Sequence, residues 1–277
     1  MPNPRPAAAP FSRQPLTREH IRDLVQRTLE PLPFVHALWE GGSACFDRTD
    51  AWSDVDLQAC VDDERVSDAF AAVEAACEKA CGIDAVFAVP EPAWHGHAQR
   101  FYRFRGQPPW LLLDLCMQKR GGGHRFLETE IHGKRIFLFD RMGLEAAQLP
   151  PDRDAREKKL RARLTYLQSR AGMFAHLVEK EMRRRRAIDA LVFYQSMILQ
   201  PLVELLRIRH DPWRHDFGMR YLHEALPPIA ARRVQELSYV RNPDDLRSKS
   251  RVALRWFDEL ATDLGRRPRL VPDQTRA

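Results

Sequence analysis

Two aspartates one residue apart, Asp54 and Asp56, stand in the apolar frame Ser53-Asp54-Val55-Asp56-Leu57, shortly after Gly41-Gly42-Ser43. If Val55 and Leu57 make this stretch a strand, side chains alternate between its faces. Both carboxylates then project to one side, and the apolar pair points into a core. Neighbouring carboxylates repel unless a cation lies between them. Oxygen donors alone suit a hard ion such as Mg2+, and a glycine turn exposes backbone N–H groups of the kind that hold phosphate. Residue types and spacing therefore point to a metal–nucleotide site.

A third acid, Asp114, sits inside Trp110-Leu111-Leu112-Leu113-Asp114-Leu115-Cys116-Met117, a run apolar enough to be a central strand buried on both faces. A lone carboxylate there costs several kcal/mol or is forced to protonate, so it calls for a metal or a partner. Two-metal chemistry needs carboxylates that bridge ions about 3.5–4 Å apart. A D-x-D pair plus one aspartate from a neighbouring strand can supply them. The plainer alternative is a solvated turn plus a partnered core aspartate, and the sequence leaves it open.

The elements that must position these residues follow from periodicity and punctuation. Thr17 reads as the N-cap of a helix over 18–30, closed by Pro31-Leu32-Pro33. Phe34–Trp39 reads as a first strand running into Gly41-Gly42, and residues 54–60 as the second. An Ala-rich helix over 65–81 ends at Gly82. Residues 83–89 form a third strand, Arg100–Arg105 and Trp110–Met117 a hairpin, and Arg135–Phe139 an edge strand. From about residue 152 the period changes. Leu160, Leu164, Leu167, Ala171, Phe174 and Leu177 mark one helix face, and Ile188–Leu206 reads as the central helix of a bundle. Weaker helical patterns cover 228–240 and 244–264, the last capped by Asp244-Asp245. The layout predicts a tail over 1–16, a mixed-sheet α+β domain over 17–150, an all-α bundle over 151–265 and a second tail over 266–277.

At 277 residues, 44% apolar and 30% charged, the chain has material for two cores and is too apolar to be disordered. Charge is unevenly shared: residues 1–150 hold 17 Lys+Arg against 21 Asp+Glu, and residues 151–277 hold 27 against 17. The five cysteines (Cys45, Cys60, Cys77, Cys81, Cys116) are odd in number and irregularly spaced. They read as reduced thiols in a cytoplasmic protein. No apolar run reads as a membrane span, and the Pro/Ala-rich start lacks the hydrophobic segment of a signal peptide.

Gly42-Ser43, the spacer 44–53, Asp54-Val55-Asp56 and the later Asp114 resemble the signature of the DNA polymerase β-like nucleotidyltransferase superfamily. The run Asp50–Leu57 and the helical second half are most similar to the bacterial branch acting on aminoglycosides and lincosamides. The resemblance implies an NTP substrate, ATP above all, and Mg2+, two ions in number, with Mn2+ as substitute. Asp54, Asp56 and Asp114 would be the catalytic metal ligands, and Gly41, Gly42 and Ser43 the phosphate cradle. Relatives often carry Arg-Gly soon after Gly-Ser. Here Phe46-Asp47 stands instead, with Arg48 as the replacement contact. The implied reaction moves a nucleoside monophosphate to a hydroxyl of a small-molecule acceptor, aminoglycoside-like, and releases pyrophosphate. Transfer to a protein or RNA, and a nucleotide-binding module without turnover, remain as alternatives. Lys158 and Lys159 are further candidate triphosphate contacts.

Four other features have competing plain readings. Arg183–Arg186 is an anion contact or a solvated helix end. His95 and His97 are metal ligands or loop residues. Glu128 and Glu130 are general-base candidates or surface acids. Arg209–His215 has the R-x5-H spacing of a nuclease motif in helical bundles, with Pro212 interrupting any helix there.

Overall fold

A computed structural model describes residues 16–93, 95–123, 125–147 and 150–272. The tail expected over 1–16 lies, apart from Leu16, outside the described residues, whereas the one expected over 266–277 is described as far as Pro272, and there Leu270 and Val271 are buried, their N–H groups donating to Glu157 Oε2 at 2.8 and 2.9 Å. The chain divides into two compact units, Met1–Pro150 and Pro151–Ala277.

The first unit is built on a six-stranded sheet. Its strands are β1 (Val35–Glu40), β2 (Val55–Val61), β3 (Ile83–Ala88), β4 (Ala98–Phe104), β5 (Leu112–Lys119) and β6 (Ile136–Asp140), in the order β3-β4-β5-β2-β1-β6. Only β2 and β5 pair in parallel, which makes the sheet mixed. Helices α1 (Arg18–Leu29) and α2 (Val66–Ala80) cover one face. Ile21, Val25 and Leu29 of α1 and Phe70, Val73 and Cys77 of α2 bury against Val55, Leu57, Leu113 and Leu115. Thr17 caps α1, its hydroxyl accepting from His20 N at 3.2 Å. The helix α2 gives way to Gly82, whose φ of +71° suits a residue without Cβ.

β2 alternates apolar and polar as expected, and β5 does the same rather than being apolar on both faces. Their second face carries Asp56, Gln58, Asp114 and Cys116. Only toward β1 and β6 does a small apolar layer of Trp39, Cys60, Leu127 and Phe137 cover that face. Three strand limits shift by two residues from the sequence reading, the others by one at most: the fourth strand starts early, at Ala98, and the fifth runs from Leu112 to Lys119. Trp110 instead stays in the connection, exposed and against Trp52, with ring centroids 4.7 Å apart.

The second unit is all-helical: α4 (Arg153–Phe174), α5 (His176–Arg183), α6 (Ala187–Tyr194), α7 (Gln200–His210), α8 (Leu222–Ala225), α9 (Pro228–Ser238) and α10 (Pro243–Arg266). In the first unit a one-turn helix, α3 (Thr129–His132), lies between β5 and β6. The expected face of α4 is buried from Leu160 to Ala171, but the helix breaks at Ala175 and Phe174 turns out to solvent. Between α6 and α7 runs a π turn, Gln195–Leu199, in which Gln200 N donates to Gln195 O. Such a turn absorbs the ring of Pro201, which cannot donate to the preceding turn. The stretch Ala187–His210 is, by length and composition, long and apolar enough to cross a membrane, contrary to the sequence reading. Of its apolar window 56% is buried, as in a bundle's central helix. Asn242, not the Asp244-Asp245 pair, caps α10. Its Oδ1 accepts from Asp245 N at 2.9 Å, and the two aspartates occupy the first turn behind Pro243.

Candidate active site

The glycine turn grows directly from the end of β1. Glu40 is buried and its carboxylate meets Arg18 of α1 at 3.0 Å, while Arg18 Nε donates to the backbone oxygen of Asp54 at 2.7 Å. One guanidinium thus ties the last residue of β1 to the residue entering β2. Gly41 N donates to Asp56 O at 2.9 Å and closes the ladder. Gly42 follows with φ +59° and opens a 3-10 turn, Gly42–Phe46. A Cβ at Gly42 would stand 1.7 Å from Asp56 Oδ2, so the carboxylate lies across the space that only glycine leaves. Within the turn, Ser43 Oγ is buried without a hydrogen-bond partner, which is costly unless a ligand supplies one.

Val55 and Leu57 are buried in the core between sheet and helices, which turns Asp56 to the other face. The parallel register sets Asp56 beside Asp114, so the two acids are cross-strand neighbours. Asp54, just before β2, is near enough for its charge to act on the Asp56 carboxyl. Burial, then the charges of Asp54 and Asp114, push the Asp56 carboxyl up to about 7. Burial likewise pushes Asp114 up to about 6, against a lowering hydrogen bond from Gln99, with the Asp54 charge adding to the rise. Crowded acids of this kind hold a proton or attract a cation.

Asp114 is half-buried rather than sealed, and it has a partner. Gln99 Nε2 on β4 donates to Oδ1 at 2.7 Å and to Oδ2 at 2.9 Å. Among the described residues, no group of three His, Cys, Asp or Glu side chains is gathered closely enough to hold a metal ion. The three aspartates share one neighbourhood without forming a closed cage.

The remaining expectations fare unequally. Arg48 is exposed, with its guanidinium 5.1 Å over the Phe46 ring, and no hydrogen bond ties it to the carboxylates. Lys134, which the sequence did not single out, pairs with Asp47, and its backbone N–H donates to Cys45 O at 2.9 Å, bracing the 3-10 turn. His95 and His97 pack around Phe126, whose ring also lies against His132. Glu128 and Glu130 are half-buried rather than exposed, and Glu128 lies 3.6 Å from His132. All five cysteines are free thiols, and Cys81 Sγ donates to Cys77 O. In the second unit Arg183 pairs with Glu179, and Arg184 and Arg186 with Glu181, as at a solvated helix end. Arg209 pairs with Asp263, whereas buried His215 faces Arg156. The two residues of the R-x5-H spacing have different partners.

No family model matches the chain, and no curated protein matches it. Among solved structures it is similar to an aminoglycoside 6-adenyltransferase from Bacillus subtilis, at 8% identity over 90% of each chain and a TM-score of 0.35. A likeness at that level identifies no activity.

Proposed function

We propose that this chain is a nucleotidyltransferase that moves AMP from ATP to a hydroxyl of a small-molecule acceptor, with release of pyrophosphate. The observation that carries the proposal is the in-register neighbourhood of Asp56 and Asp114, with the charge of Asp54 acting on Asp56 and the glycine turn wrapped over Asp56. These are the residues on which the sequence resemblance rests.

Three features support a hard divalent cation at this place. The donor set is acidic oxygen only, the carboxyls of Asp56 and Asp114 are driven upward by burial and crowding, and Ser43 Oγ, next in the chain to the glycine that the Asp56 carboxylate lies across, is an orphaned buried hydroxyl. Asp54 and Asp56 would hold the ion that carries the triphosphate, and all three aspartates the ion near the acceptor. Bound Mg2+ supplies charge neutralisation and a lowered pKa for the acceptor hydroxyl. The chain's own work is positional. Gly42 admits the Asp56 carboxylate, Arg18 fixes the spacing between the ends of β1 and β2, and Ser43 offers its hydroxyl to a phosphate oxygen. In-line displacement at phosphorus depends mainly on such alignment and charge balance.

Incubation with Mg2+ and ATP labelled at the α or the γ phosphorus, with pooled small-molecule, protein and RNA acceptors, tests the reading. Label should pass from the α position alone, to a small molecule. Transfer from the γ position, or no Mg2+-dependent ATP binding, would sink it. Transfer to protein or RNA would overturn the choice of acceptor.

A further inference from the structure

Asp114 is held by a chain of hydrogen bonds that the metal–nucleotide reading does not use. Gln99 Nε2 straddles both carboxylate oxygens at 2.7 and 2.9 Å. Its Oε1 meets His95 Nε2 at 3.2 Å, and the backbone N–H of His97 donates to His95 Nδ1 at 3.2 Å. The direction of every link follows from the first donor. A backbone N–H can only donate, so Nδ1 of a neutral His95 accepts and the ring hydrogen sits on Nε2. That hydrogen goes to Gln99 Oε1, which leaves the amide nitrogen to face Asp114. With the opposite amide orientation, Gln99 would set an oxygen against a carboxylate.

The position of Gln99 is equally fixed. It lies on β4 opposite Cys116 of β5, two residues from the pair Phe101–Asp114, and so on the same sheet face as the three acids. Its backbone oxygen accepts from Val89 N at 2.9 Å. A carboxylate has about four lone-pair sites, and Gln99 takes one on each oxygen, leaving the others for a ligand.

We propose that Gln99, oriented by His95, is a positioning residue that sets Asp114 for divalent-cation binding. The inference rests on the proposed metal-dependent site. By this account the amide does for the aspartate what outer partners do for metal-bound histidine: it restricts the ligand's rotation before the ion arrives. Loss of such a partner costs about 10–100-fold in metal affinity.

The test is Mn2+ binding to the full chain without nucleotide, followed by the electron paramagnetic resonance signal of free Mn2+. Gln99→Met keeps the bulk and removes the donor. His95→Phe leaves β4 untouched and removes the group that orients the amide. Melting temperature, followed in parallel, separates misfolding from misplacement. The expected result is Mn2+ affinity lowered about tenfold or more in Gln99→Met, with a smaller loss in His95→Phe and melting temperatures near wild type. Equal or tighter binding by folded Gln99→Met overturns the inference and leaves the proposed function standing. If that variant does not fold, unchanged binding by His95→Phe overturns it. Absence of Mn2+ binding by the wild-type chain overturns both.

Discussion

Gly42 and Asp56 occupy mutually exclusive volumes: a Cβ on Gly42 would lie 1.7 Å from Asp56 Oδ2. Gly42 also adopts φ +59°, where an L side chain costs about 1–2 kcal/mol. The glycine is thus required twice, by backbone conformation and by the carboxylate above it. Gly42→Ala must shift the turn or expel the carboxylate. It is expected to cut nucleotidyl transfer by about a hundredfold or more, the scale of an ångström misplacement at a reacting centre. Stability should fall by only about 1–3 kcal/mol. Steady-state rates beside a thermal melt check both. Wild-type turnover in Gly42→Ala would mean that the turn has no part in the site.

The raised carboxyls give the metal-free protein a pH signature. Asp56 is pushed up to about 7 and Asp114 to about 6, both above their ordinary value. A carboxyl with a folded pKa above its unfolded one contributes stability that is whole below the unfolded value. That contribution is lost as pH rises through the folded value. In chelator the melting temperature should therefore fall between about pH 4 and pH 7, from the ordinary carboxyl value up to the raised ones. Asp56→Asn removes one charge from the cluster, so its fall should be shallower and it should be the more stable protein at the upper end. A steeper fall in Asp56→Asn would show that the acids do not repel.

Arg18 and Glu40 form a shielded pair that also reaches the Asp54 backbone. Removing one partner leaves the other buried and uncompensated, whereas replacing both by apolar groups is often close to neutral. Arg18→Met should destabilise the first unit by about 2–4 kcal/mol, and Arg18→Met with Glu40→Met by clearly less. Denaturant titration of the single and double variants measures the difference. Equal losses in single and double variants would mean that the ion pair does not hold this corner.

Much of this arrangement was legible in the sequence because it rests on local periodicity. The alternation around Asp54 and Asp56 is the alternation of β2, and the Thr17 cap and Gly42 turn are short-range signals. Partners brought by strand pairing were not legible. Gln99 lies fifteen residues from Asp114 and on the adjacent strand, and nothing in its local sequence marks it. Arg18 is likewise an ordinary helical arginine until the fold brings Glu40 beneath it. The run Trp110–Met117 reads as buried on both faces because a single aspartate hardly alters its apolar character. In the sheet Asp114 and Gln118 lie on the less apolar second face with Asp56 and Gln58. Arg48 has a motif position, but in the fold its backbone N–H donates to Ser43 O and its guanidinium lies over the Phe46 ring.

Pyrophosphate release tests the central claim most directly. The wild-type chain and Asp56→Asn would each be supplied with ATP, Mg2+ and the pooled small-molecule acceptors, and pyrophosphate counted against adenylylated acceptor. The account expects one pyrophosphate for each acceptor modified by the wild type. It expects a fall of at least about a thousandfold in Asp56→Asn, the order reached when charge stabilisation at a reacting centre is lost, with the fold intact. Pyrophosphate at the wild-type rate from folded Asp56→Asn, or none from the wild type with any acceptor, would contradict it.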